Sequence, residues 1–88
     1  MKDRILRIRN TVSILNACIA EEARRKEKYF SAKNFTDSMN SQSLYERNAD
    51  LLESYRTQLV EAQEAVRIIK GQLDTEFAEL SEATSPAN

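Results

Sequence analysis

The sequence predicts an all-α fold: an antiparallel two-helix hairpin with coiled-coil-like packing that dimerises into a helical bundle. Three observations carry this expectation. One Gly and one Pro in 88 residues leave almost none of the turn punctuation that a strand-rich domain needs. Two long segments repeat apolar residues at alternating four- and three-residue steps, the spacing that collects side chains on one helical seam. Charge is also segregated: residues 1–33 carry nine basic and four acidic side chains, net +5, whereas residues 34–88 carry four basic and ten acidic ones, net −6.

A single hairpin domain is expected over residues 1–82, with its first helix at 2–32. Met1, Ile5, Ile8, Val12, Leu15 and Ile19 follow the four-three spacing, and Leu6, Ile14 and Cys18 widen the seam. Continued further, the register meets Glu22, Lys26 and Tyr29, so the apolar part is confined to the first five turns. The segment Ser31–Ser43 is polar and rich in Ser and Asn, with Phe35 and Met39 as its only large apolar residues; it predicts a connection at 33–42. Ser43-Leu44-Tyr45-Glu46 fits a capping box, with Thr36-Asp37 as a rival helix start. The second helix is expected at 43–82. Its seam is Leu52, Tyr55, Leu59, Ala62, Val66, Ile69, Leu73 and Leu80, interrupted by Asn48 and Glu76. Gly71 within it costs about 1 kcal/mol relative to Ala and marks a soft spot or a close helix contact. Residues 83–88, with Pro86, are expected to form a flexible tail.

Folding back on itself, the chain brings Arg4, Arg7 and Arg9 toward Asp74, Glu76 and Glu79, and Arg24, Arg25 and Lys28 toward Glu46, Asp50 and Glu53. Exposed pairs are worth only about 0–1 kcal/mol each, so these charges set register more than stability.

The absence of His removes the usual general base and the commonest metal ligand, so the chain reads as a non-enzyme with no catalytic residue, metal or cofactor. Cys18 has no second cysteine to pair with; it reads as a small seam hydrophobe, in keeping with a reducing, cytoplasmic setting. Charges interrupt every apolar stretch well short of the roughly 18 residues that span a bilayer. Arg4, Arg7 and Arg9 ahead of Leu15-Asn16-Ala17-Cys18 superficially suggest a lipoprotein signal, but Asn10, Thr11, Ser13 and Asn16 dilute its apolar region. The run Arg24–Lys28, with Tyr29, Phe30 and Lys33, is the one segment shaped like a nucleic-acid footprint. Glu21, Glu22 and Glu27 break its field and the pI is about 5.5, so nucleic acid is not the expected partner.

A two-helix hairpin buries one stripe per helix and is marginal alone. Leu51, Val60 and Phe77, which lie off the second seam, are therefore expected to bind a partner, together with Tyr55 and Phe35. The expected function is a small protein–protein interaction module of chaperone, adaptor or inhibitor type. The alternatives are a self-assembling structural bundle, with a homodimer as the expected state, and a nucleic-acid accessory using residues 24–33. In plan the chain resembles the small helical hairpins of type VII secretion, although Ser31–Ser43 holds neither the Trp nor the Gly of their turn motif. It also resembles the co-chaperones of type III secretion, over Tyr45–Ile69, and that likeness implies shielding of a partner by helix packing.

Overall fold

The computed structural model describes residues 2–84 and consists of two helices, α1 (Lys2–Asp37) and α2 (Gln42–Thr84), packed antiparallel against each other. The rod measures 70 × 19 × 15 Å, hardly longer than α2 itself, whose 43 residues rise about 65 Å. Met1 of the expected first seam and residues 85–88 of the expected tail lie outside the described residues; Ala83 and Thr84 continue α2.

The turn is shorter than the composition of the connection implies, because α1 runs five residues beyond its expected end. Ala32 is half-buried and Thr36 buried, so two small side chains within the polar segment face α2 and carry the helix onward. The Thr36 hydroxyl donates to the Ala32 carbonyl at 2.8 Å, which satisfies it inside the helix. Thr36 thus lies in the last turn of α1 and does not start α2. Beyond it the Ser38 and Met39 amides donate to the carbonyls of Phe35 and Thr36 at 3.2 and 3.1 Å, closing the helix with three-residue turns. The cap of α2 falls on Ser41, two residues ahead of the expected Ser43. Its Oγ accepts from the Leu44 amide at 3.5 Å and its carbonyl from the Tyr45 amide at 3.0 Å. The Asn48 amide donates to Met39 Sδ at 3.2 Å, tying the turn to α2.

Along α2 the buried positions are those its spacing marks. Leu59 and Ala62 are buried; Leu52, Tyr55, Val66, Ile69, Leu73 and Leu80 are half-buried. Both polar interruptions also face inward, Asn48 half-buried and Glu76 only 6% exposed.

On α1 the contact line is rotated from the expected one. It runs through Ile8, Thr11, Leu15, Cys18, Glu22, Arg25, Tyr29, Ala32 and Thr36, while Ile5, Val12 and Ile19 stay 45%, 36% and 48% exposed. Two four-three lines share Ile8, Leu15, Glu22 and Tyr29. One adds Ile5, Val12 and Ile19 but then meets Lys26 and Lys33; the other adds Thr11, Cys18, Arg25 and Ala32. The first is greasier over five turns. The second serves the whole helix, since its small side chains allow close approach and Arg25 can place its charge at the edge of the contact.

Gly71 is exposed, and a Cβ built on it would meet nothing within 4 Å, so no close helix contact explains it. Replacing it with Ala is expected to stabilise the hairpin by about 0.5–1 kcal/mol in urea titrations. The rotated seam makes a sharper prediction. Leu59→Asp buries an unpaired charge and should abolish the cooperative circular-dichroism melt. Val12→Asp should leave the melting temperature within a few degrees of the parent; unfolding by Val12→Asp would put Val12 back in the seam.

Candidate protein-interaction surface

Ion pairs fix which residues stand level across the hairpin. Arg4 Nη1 donates to the Glu79 carbonyl at 3.0 Å, and Arg7 Nη1 lies 3.8 Å from Glu79 Oε2. Midway, Arg25 joins both helices: its Nε donates to Glu21 Oε1 at 2.7 Å and its Nη1 to the Gln58 carbonyl at 2.8 Å, with Glu61 Oε2 at 4.0 Å. Nearer the turn, Lys28 Nζ sits 4.5 Å from the centroid of the Tyr55 ring, a cation–π contact.

These contacts locate each residue of the expected charge pairing. Arg4 and Arg7 meet Glu79. Arg9 and Asp74 are exposed and make no ion pair among the described residues, and Glu76 turns into the seam. Arg24 binds Glu21 on its own helix. Glu53 lies 3.9 Å from Arg56, Glu46 accepts from Gln42 at 3.2 Å, and Asp50 is exposed, so none of these three meets Arg24 or Arg25. The extension of α1 to Asp37 moves the turn along the chain. Gln58 and Glu61 thereby come level with Arg25, and Glu46, Asp50 and Glu53 face the end of α1.

Four of the six ion pairs among the described residues lie within one helix. The Arg25 hydrogen bond, followed by the Arg24 and Arg25 charges, holds the Glu21 carboxyl below its ordinary 4.5 despite some desolvation. The Arg67 hydrogen bond does the same to Glu64, and Arg67 is raised in turn. Buried Glu76 is different, since its Oε1 has no hydrogen-bond partner among the described residues.

The apolar surface is the larger feature. Three hydrophobic residues are buried, Ile8, Leu59 and Ala62, while thirteen large ones stay exposed. The chain exposes 6741 Å², against roughly 5,300 Å² for a compact monomer of its mass.

The seam divides this surface into two flanks. On the Arg7–Glu79 flank, Ile14 and Ala17 face Ala65 across a groove of about 470 Å³ floored by Cys18 and Ala62 and closed at one end by Glu21, Arg25 and Glu61. Helical position adds Ile68 to this flank, and Phe35 and Leu51 nearer the turn. The opposite flank holds Ile5, Val12, Ile19 and Phe77. The five expected partner residues therefore do not form one patch. Phe35 and Leu51 share a flank, Phe77 lies at the far end of the other, and Val60 is on the outer side of α2; all four are exposed. Tyr55 is half-buried in the seam under Lys28. Sequence reasoning missed Ile5, Val12 and Ile19 as surface residues, having placed them in the seam. Arg25 was expected to reach across the hairpin and does so, but to Gln58 and Glu61 in place of Glu46, Asp50 and Glu53.

Comparison with known protein families, curated proteins and solved structures gives no match. No helix of the described residues is long and apolar enough to cross a membrane. Nor do three His, Cys, Asp or Glu side chains converge there as a metal site.

Arg25→Met is expected to destabilise the hairpin by about 1–2 kcal/mol through loss of the bond to the Gln58 carbonyl, read as a lower urea midpoint. Because the folded pKa values of Glu21 and Glu64 are depressed, their stabilisation is complete above the ordinary 4.5 and is lost as pH falls through the lower folded values. The double variant Glu21→Gln, Glu64→Gln should flatten the melting temperature over that acid window. An unchanged profile would mean the two pairs contribute nothing in solution.

Proposed function

We propose that this protein is a non-catalytic protein–protein interaction module, of chaperone, adaptor or inhibitor type, that binds its partner through an apolar flank of the hairpin. The observation that carries the reading is that thirteen large hydrophobic residues among the described ones stay exposed. Exposed apolar residues gathered along a flank of a small chain mark an interaction site. The basic run favours protein over nucleic acid: Arg24 and Arg25 are bound to Glu21 and Lys28 lies on Tyr55, which leaves only Lys26 and Lys33 of its cations without a partner charge or ring. A half-buried free thiol at Cys18 suits a cytoplasmic setting.

A second reading, self-assembly into a four-helix bundle with coiled-coil-like packing, is favoured by the groove on the Arg7–Glu79 flank. Its small side chains at Ala17, Cys18, Ala62 and Ala65 leave room for a facing helix, and both signs of charge border it, as a two-fold related copy requires.

Both readings are tested by photo-crosslinking residues placed singly at Ile14, Leu51 and Val60, with Ser13 and Glu27 as polar controls, in cells that make the protein. Covalent protein adducts are expected from the apolar positions and not from the controls. An adduct of twice the 10.1 kDa chain mass identifies a second copy, and any other mass identifies a partner. Absence of adducts at every apolar position would overturn the proposal.

A further inference from the structure

We infer that the flank of Ile5, Val12 and Ile19 is a docking groove for an acidic amphipathic helix of a partner protein, a refinement that rests on the interaction reading. Three observations meet there. The three side chains recur every seven residues, about 10.5 Å apart, which is the repeat presented to a helix laid alongside. They are exposed although they flank Ile8 and Leu15 of the seam, so α2 covers only one side of an apolar sector that is wider than one helix. A recess of about 170 Å³ opens at the start of the stripe between Ile5 and Leu6, with Lys2 and Arg9 at its rim.

Charge names the occupant. On this flank α1 presents Lys2, Arg9, Lys26 and Lys33 against one exposed acid, Asp37 in its last turn, and α2 adds Lys70. All five cations are exposed and without an ion pair among the described residues; of the other cations in no ion pair, Arg4 donates to the Glu79 carbonyl, Lys28 lies on the Tyr55 ring and Arg47 is elsewhere on α2. The cations of the opposite flank differ, with Arg7 beside Glu79 and Arg24 on Glu21. The acids of this flank of α2 are Glu46, which accepts from Gln42, Glu53, already beside Arg56, and Asp74. An aliphatic stripe bordered by unpaired cations of α1 on one side and by Lys70 of α2 on the other complements a helix with Leu-type residues on one face and Glu or Asp beside them. A two-fold copy docked here would set cations against cations, so this flank does not fit self-association.

The probe is a fluorescein-labelled helical peptide of about 18 residues, long enough to span Ile5 to Ile19, with Leu at four-three spacing and Glu at the flanking positions. The comparison peptide carries Lys in place of Glu. Anisotropy titrations should show the Glu peptide binding at least about tenfold more tightly than the Lys peptide. Its affinity should fall severalfold between about 50 and about 300 mM salt. Val12→Glu and Ile19→Glu should remove binding with circular dichroism unchanged, and Ile14→Glu on the other flank should not. The pair Lys26→Glu, Lys70→Glu leaves the apolar stripe untouched and should reverse the preference toward the Lys peptide. Equal binding of the two peptides, or no effect of that charge reversal, would overturn the inference. So would failure of the Glu peptide alongside saturable, Val12-dependent binding to phosphatidylserine vesicles or to a single-stranded RNA. If the Glu peptide fails while crosslinks form at Ile14 or Leu51, the docking groove falls and the interaction reading stands; if crosslinks are also absent, both fall.

Discussion

Two straight helices can share only one line of contact, and on α1 the greasiest line is not the one that can be followed to the end. The line through Val12 and Ile19 runs into Lys26 and Lys33, whereas the line through Thr11 and Cys18 continues to Ala32 and Thr36 beside the turn. Much else in the molecule follows from that choice. The small residues on the chosen line bring the helices close but contribute little apolar area. The Ile and Val residues on the rejected line are left at the surface, where they cost solubility unless something covers them.

The energetics are correspondingly thin. Ile8, Leu59 and Ala62 are the buried hydrophobic residues, and they share the interior with Thr11, Thr36 and the carboxylate of Glu76. The threonines are satisfied by carbonyls of their own helix, Arg7 at 3.0 Å and Ala32 at 2.8 Å. Glu76 is not, with one oxygen unpartnered, and a buried polar group in that state is destabilising. Arg25 partly offsets this by clasping Gln58, while intrahelical pairs such as Glu64–Arg67 support helicity and not packing.

What was legible in the sequence follows the same division. The helix count, the hairpin and the full seam of α2 could be read because Leu52 to Leu80 keep one apolar period with no competing line. The seam of α1 could not, since periodicity scores hydrophobicity and the contact selects small residues and length as well. The end of α1 was obscured for a related reason: Ala32 and Thr36 are inward-facing positions inside a segment whose overall composition is that of a loop. A five-residue error there moves the turn and with it every charge pairing, which is why Arg25 meets Gln58 and Glu61 and not Glu46 to Glu53. Exposure of Leu51, Val60, Phe77 and Phe35 followed from their being off the seam, but their distribution over different faces depends on the hand of the packing, which spacing alone does not give.

A protein built this way is a scaffold for presenting helical flanks, with its own stability as the limiting quantity. The account's central claim is that the one intrachain seam is all that holds the hairpin when it is alone. The most direct test is a urea titration of the isolated protein at low micromolar concentration, followed by circular dichroism. The account predicts an unfolding free energy at or below about 3–5 kcal/mol, as befits a small domain with a single thin core. A concentration-independent value well above that range would contradict it, because the seam described would then be too small to account for the stability measured.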